Sequence, residues 1–287
     1  MKMRYAAYGI AALLIIASWI GNIAYSRYYR LPEGRFLVHR IEATDTPSAA
    51  FALVYVANKD DKRTIRSIAV GGLPTLRFGP ANGRQELSRQ TVYTFMGSYA
   101  GDPARKSALP PLVVRDVDVT FDDGQTQTMR VGEIIVYRDD YPPREIDSPV
   151  TVTATTGGSD HSGSVTALVN REAELTGTTS AWLSRLGQAF PFRVSLIDAI
   201  GQPATSVKPE SDYPVRLVRG QHIVTDYQFR FPAGDPHAME AYNLLLTHEF
   251  LEADGERTEY RVDARYVPDF TESRMKAFVR AARREAG

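Results

Sequence analysis

The feature that most constrains this chain is an uncharged run near its start, Tyr5 to Tyr25, reading YAAYGIAALLIIASWIGNIAY. As a helix it spans about 31 Å at 1.5 Å per residue, close to the hydrocarbon thickness of a bilayer. Aromatic residues mark both ends: Tyr5 and Tyr8 on one side, Trp19, Tyr25, Tyr28 and Tyr29 on the other. Rings of this kind settle where headgroups meet hydrocarbon. A transmembrane anchor, a cleaved signal peptide and a buried core helix all begin with such a run. Signal cleavage needs small residues one and three positions before the cut. Cutting after Ala24 sets Asn22 at the third position, and cutting after Trp19 sets a bulky ring at the first. The sequence therefore predicts an uncleaved anchor with flanks over residues 1–30, in contact with the lipid bilayer through residues 5–25.

Orientation follows from the flanks. Lys2 and Arg4 precede the run, and Arg27, Arg30 and Arg35 follow it, so positive charge is nearly balanced. A short tail before a large body favours the tail inside, which places the body on the extracytoplasmic side of a cell membrane.

Beyond Leu31 the period of apolar residues changes from helical to two. Phe51 to Val56 is a compact β-branched and aromatic run stopped by Asn58-Lys59-Asp60-Asp61, and Thr64 to Val70 resumes before Gly71-Gly72. Two long hairpins stand out. In the first, Val113, Arg115, Val117, Val119 and Phe121 alternate on one face before a two-residue turn at Asp123-Gly124. The second runs from Tyr242 to Val267 and turns at Asp254-Gly255. Each is preceded by a similar strand, LSRQTVYTF from Leu87 and LVRGQHIVTDYQF from Leu217, and each is followed by a proline-bearing exit.

This spacing suggests a duplication. The expected fold is mainly β: two tandem antiparallel β-sandwich, Ig-like domains over residues 31–147 and 148–270, joined near Ile146 to Pro149. Helical turns are expected at Thr179 to Leu186, capped by Thr179 or Ser180. A basic C-terminal helix is expected over 271–287, opened by an Asp269-Phe270-Thr271-Glu272 capping box. Its stripe of Met275, Phe278, Val279 and Ala282 is expected to dock on the second sandwich.

Composition removes several functions. With no cysteine there are no disulfides, thiol nucleophiles, thiolate metal sites or lipid attachment at an N-terminal cysteine. Lys plus Arg and Asp plus Glu are both 34, so there is no net positive field for nucleic acid. Histidines 39, 161, 222, 237 and 248 form neither HExxH nor His-x-His, and individually solvated or hydrogen-bonded rings are expected. The Gly157 to Gly163 stretch, GGSDHSG, holds Ser, Asp and His side by side, where a triad needs them converging from separate elements. Asp60-Asp61, Asp122-Asp123 and Asp139-Asp140 lack alternating calcium-ligand spacing and suit turns. The aromatics of Val92 to Phe95 and Tyr227 to Phe231 offer a sugar platform, but core-facing strands produce the same pattern.

No catalytic, cofactor-binding or metal residue is therefore predicted, and no cofactor. The expected function is a non-enzymatic structural or interaction module of the cell envelope with a protein partner there and no nucleic acid. The alternatives are an envelope hydrolase acting on glycan or peptide, or a sensor or assembly subunit of a membrane complex.

Overall fold

A computed structural model describes residues 2–46, 50–100, 109–138, 148–198, 203–207, 212–232 and 234–286, with side chains outside the description at 2–12, 26, 203–207 and 286. α1 (Lys2–Tyr28) is one continuous helix. The expected span at 5–25 lies within it, partly outside the described side chains. Among the described residues, no helix is long and apolar enough to cross a membrane.

The body begins with β1 (Arg35–Phe36), β2 (His39–Thr44), β3 (Ala50–Asn58), β4 (Ile65–Ala69) and β5 (Leu76–Phe78). β6 (Gly83–Glu86), β7 (Gln90–Tyr99) and the hairpin β8 (Leu109–Phe121) and β9 (Thr126–Arg138) follow. Next come β10 (Val150–Gly157), β11 (Ser162–Val169), β12 (Ala173–Thr179) and a short helix, α2 (Leu183–Leu186). β13 (Phe192–Ile197), β14 (Pro203–Val207), β15 (Val215–Leu217) and β16 (His222–Gln228) lead to the second long hairpin, β17 (Ala241–Glu252) and β18 (Arg257–Tyr266). α3 (Glu272–Ala286) succeeds it.

These strands form three sheets, and the chain is mainly β. One outer sheet has the order β1-β3-β7-β5, with β6 also on β7; the other is β10-β11-β16-β13-β14. Between them runs β15-β12-β17-β2-β9-β8-β4, with β18 on β17. Its pairs are antiparallel except at β2, which lies parallel to both β9 and β17. The hydrophobic cores fall in two groups, one built from buried residues between Phe36 and Val136 and the other from buried residues between Val150 and Tyr266, with Ile135 packed against it. The middle sheet passes through both. The expected junction falls against residues 139–147, which lie outside the described ones.

β2 explains how one sheet serves two cores. Side chains alternate across a strand. Ile41 and Ala43 enter the first core, and His39 points the same way, while Arg40 and Glu42 face the second half. The two outer sheets therefore sit on opposite faces of the middle sheet. The first sandwich uses one face and the second sandwich the other.

The hairpins turn as a pair, but with three-residue loops where two were expected. Phe121 N donates to Gln125 O and Gly124 N to Phe121 O; Glu252 and Gly255 repeat the pattern with Glu256. Gly124 and Gly255 take φ of 81° and 86°, which an L side chain resists. The predicted apolar face of β8 also shifts. Val114, Val117, Val119 and Phe121 are buried, whereas Val113 is exposed, because the register shifts between Val114 and Asp116, where β9 bulges at Val131 to Glu133 against Arg115.

Three helix-end expectations change. α2 has no side-chain cap, since the Ser180 hydroxyl turns to Glu42. At α3 the Thr271 hydroxyl accepts from Arg274 N, while Glu272 is drawn away to Ser88. Docking differs too: Met275, Val279 and Ala282 pack with Leu31, Leu37, Val54, Val56 and Val92 of the first sandwich. The reason is that β3 is apolar on both faces and needs cover on its outer side. The outer sheet of the second sandwich carries Ser164, Thr166, Arg193, Ser195 and Asp226 beside Leu168, Val224 and Ile197, a mixed face that is half-buried or exposed and so demands less cover.

Candidate functional site

The root of α1 is the most unusual surface of the molecule. Leu13, Leu14, Ile15 and Ile16 point in four directions about 100° apart and all are exposed, at 68%, 67%, 61% and 54%. Trp19, Ile20 and Ile23 are exposed as well. A helix serving a globular core buries one apolar stripe and wets the rest. This one buries none among its described side chains.

Where α1 ends, the body grips it. Asn58, at the end of β3, accepts from Leu31 N at 2.9 Å and donates to Leu31 O at 3.0 Å. Leu31 is itself buried. Gln90 donates to Tyr29 O at 2.8 Å and Arg89 to Tyr25 O at 3.1 Å. The Arg283 guanidinium of α3 donates to Arg27 O and to Arg30 O, the latter at 3.3 Å. These carbonyls belong to the last turn of α1 and its exit, where the backbone bonds are few and long, Tyr29 N to Tyr25 O at 3.4 Å and Arg30 N to Arg27 O at 3.3 Å, and where the helix end carries partial negative charge. Cations there satisfy both demands.

Aromatic rings complete the root. Tyr25 and Tyr29 meet edge-on at 4.8 Å, as do Tyr28 and Tyr29 at 5.0 Å. The Arg89 guanidinium lies 4.8 Å from the Tyr25 ring centre, and Lys276 Nζ lies 5.5 Å from that of Tyr29. Such contacts contribute about 0.5–1 kcal/mol each at exposed sites. Glu272 accepts from Ser88 N and Oγ at 2.6 and 2.7 Å, and those bonds hold its carboxyl below the ordinary range, with Lys276 and Arg89 adding to the effect. A small cleft of about 330 Å³ opens beside Arg27, Tyr29, Asp60 and Arg89.

The residues weighed for chemistry are scattered. His39 is buried with Nδ1 on Val131 O and Nε2 on Val54 N, both at 2.9 Å. His248 is buried between the Thr178 and Thr225 hydroxyls at 2.8 and 2.9 Å. Burial pushes each ring down to about 4. His161 lies 3.3 Å from Asp269, and His237 lies 3.3 Å from Glu240. His222 sits in β16 opposite Leu168 and Ile197. Among the described residues, no three His, Asp or Glu groups gather to hold a metal ion.

In the GGSDHSG stretch, Ser162 Oγ donates to Asp160 at 2.6 Å while His161 turns away to Asp269, so the three side chains share no relay. Asp122 caps Thr64, and Asp60 pairs with Arg30. Asp61 and Asp123 accept from backbone N–H groups two residues on, at Arg63 and Gln125. Asp139-Asp140 lies outside the described residues. Tyr93 and Phe95 pack into the first core, while Tyr227, Phe229 and Phe231 stack with Phe190, Tyr242 and Tyr266 inside the second.

Sequence reasoning missed Glu42, the polar centre of the molecule. On one flank of β17, β2 pairs with residues 241–243 and β12 with 247–252, leaving a gap between them. The Glu42 carboxylate fills it, accepting from Leu245 N at 3.1 Å, Ala181 N at 3.0 Å, Tyr137 OH at 2.7 Å and the Ser180 hydroxyl. Asn243 donates to the Glu42 carbonyl at 2.6 Å. A glutamate within the polar alternation of HRIEAT looks solvent-facing, and nothing local distinguishes it.

No family model matches this chain, and no curated protein does. Among solved structures, a Porphyromonas gingivalis W83 protein of unknown function is 12% identical, with 81% of this chain and 99% of that one covered at a TM-score of 0.23. The YadV chaperone is 9% identical, with 82% and 100% covered at 0.25. The Enterococcus faecalis MSCRAMM ACE is 9% identical, with 85% and 96% covered at 0.24.

Proposed function

We propose that the chain is a membrane-anchored β-sandwich protein, with an extracytoplasmic body acting as a non-enzymatic structural or interaction module of the cell envelope. The observation that carries this reading is α1: its described apolar side chains face outward on every side, while its exit is clamped to the body through Leu31 and Asn58. An apolar surface of that extent in water is costly, at about 25 cal/mol per Å². A bilayer removes the cost, and the uncharged sequence from Tyr5 onward supplies the remaining length. Clamping at the exit makes the anchor a rigid stalk root, so the body stands in a defined pose on the membrane.

The interaction role rests on where the buried polar groups are used. Glu42, His39 and His248 are each engaged in joining strands, and the buried Glu252 is held by Arg171 and Thr258. Among the described residues, the exposed Thr-rich edge strand β10 has a strand neighbour on one side, β11, and its other side can take a further strand. Membrane extraction and surface proteolysis test the reading. Retention in the membrane pellet at alkaline pH, with the body shaved from intact cells, is the expected result. Release as a soluble protein, or a body protected until lysis, overturns the anchor or the orientation respectively.

A further inference from the structure

We infer that the basic side chains gathered at the root of α1 dock on the anionic phospholipid headgroups of the bilayer that the helix enters. This rests on the anchor reading and adds to it a lipid-specific contact made by the folded body.

α3 has two faces with separate duties. Met275, Val279 and Ala282 seal the first sandwich. Lys276, Arg280 and Arg283, at i, i+4 and i+7, share another face, and Arg284 lies beside Arg280. Contacts fix the level of that face: Lys276 reaches the Tyr25 and Tyr29 rings, and Arg283 reaches the carbonyls of Arg27 and Arg30. The basic face therefore lies at the depth of Tyr25 to Arg30. If α1 crosses the bilayer, that is the headgroup layer, as the tyrosine girdle also requires.

The charge balance favours an anionic surface. Arg30 and Lys59 are matched by Asp60 and Glu86. Glu272 faces Lys276 and Arg89, but its carboxylate is held by Ser88. Arg27, Arg280 and Arg284 pair with no carboxylate among the described residues. Exposed cations beside a helix entering a membrane lie within a Debye length of its surface, where each basic residue strengthens attraction to anionic lipid about fivefold. Phosphate groups also bond Arg and Lys donors directly.

The full chain has no cysteine, so Ala281→Cys gives a single labelling site on the exposed side of α3. The labelled protein is reconstituted into phosphatidylcholine vesicles, and into vesicles in which about a third of the lipid is phosphatidylglycerol. Energy transfer from the label to a headgroup-labelled lipid reports how closely α3 lies on the surface. The expected result is higher transfer in the anionic vesicles, falling as salt rises. In the Arg280→Gln, Arg284→Gln double variant the docking equilibrium should weaken about fivefold for each charge removed. Equal transfer in both lipids, or transfer indifferent to salt, overturns the inference and leaves Arg283 as a helix cap only. Flotation with the neutral vesicles separates the two readings, because an anchor holds there without anionic lipid. Loss of flotation sinks the anchor reading itself.

Discussion

The two sandwiches share a sheet and each spans its interior with a buried histidine, yet they solve the task differently. In the first, His39 bonds two backbone groups, the Val131 carbonyl and the Val54 amide, where Gly132 lets its strand come close to the His39 backbone. Its outer strand β3 is buried on both faces, with α3 as the lid. In the second, His248 bonds the hydroxyls of Thr178 and Thr225, and the outer sheet leaves its far face to water. Backbone partners are fixed in direction, whereas hydroxyls rotate. The first sandwich is thus locked by geometry that tolerates little change, and the second by adjustable polar contacts.

The comparison breaks most completely at Glu42, a buried carboxylate that accepts hydrogen bonds from both halves. Glu42→Leu leaves two backbone amides, a tyrosine and a serine without their acceptor, and a loss of about 3–5 kcal/mol is expected. Urea unfolding should then split into two transitions, one per sandwich. A single unshifted transition would show that the shared sheet, not the carboxylate, couples them.

Next in size is Gly132→Ala. Gly132 has φ of 106°, and a Cβ there would lie 2.4 Å from His39 O. A destabilisation of roughly 3 kcal/mol is expected. A Cβ on Gly177, in the bulge of the second sandwich, would come no nearer than 3.7 Å to the Glu249 carboxylate, an ordinary contact, so Gly177→Ala should change the unfolding free energy by well under 1 kcal/mol. Equal effects would erase the claimed difference in tolerance.

Acid sharpens the comparison. Both folded-state values lie below the ordinary 6.5, at about 4. Stability from the neutral rings is therefore present above pH 6.5 and lost as pH falls towards 4, on the order of 3 kcal/mol for each ring. Protonated His39 would set Nε2–H against the Val54 amide, while Thr225 can rotate to accept from protonated His248. Histidine NMR titration should thus give His248 the higher value of the two. The reverse order would mean that hydroxyl rotation is not what separates them.

A smaller loss than at Glu42 or Gly132 is expected at the lid. Met275→Ala removes a fully buried side chain from the interface of α3 with the first sandwich, at a cost of roughly 2 kcal/mol. The shift should appear in the unfolding of the first sandwich and not of the second. A shift confined to the second would return α3 to the place expected from its sequence position.

Local chemistry was legible throughout. The uncharged run before Tyr25, the β-branched alternation of the body, the glycines at 124 and 255 and the apolar stripe of α3 each act through neighbours a few residues away. Their consequences were therefore readable without a fold. The one-residue error in the hairpin loops and the phase error in β8 arose where a bulge, not a residue type, set the register. What only the tertiary structure decided is the placement of β2. Its parallel pairing joins His39–Thr44 to residues about 90 and 200 positions away, and no local preference selects such partners. Once β2 lies between β9 and β17, HRIEAT ceases to be a wet alternation. Two cores then claim its opposite faces, Glu42 becomes a buried acceptor, and Gly132 becomes the place where a strand approaches too closely for any side chain.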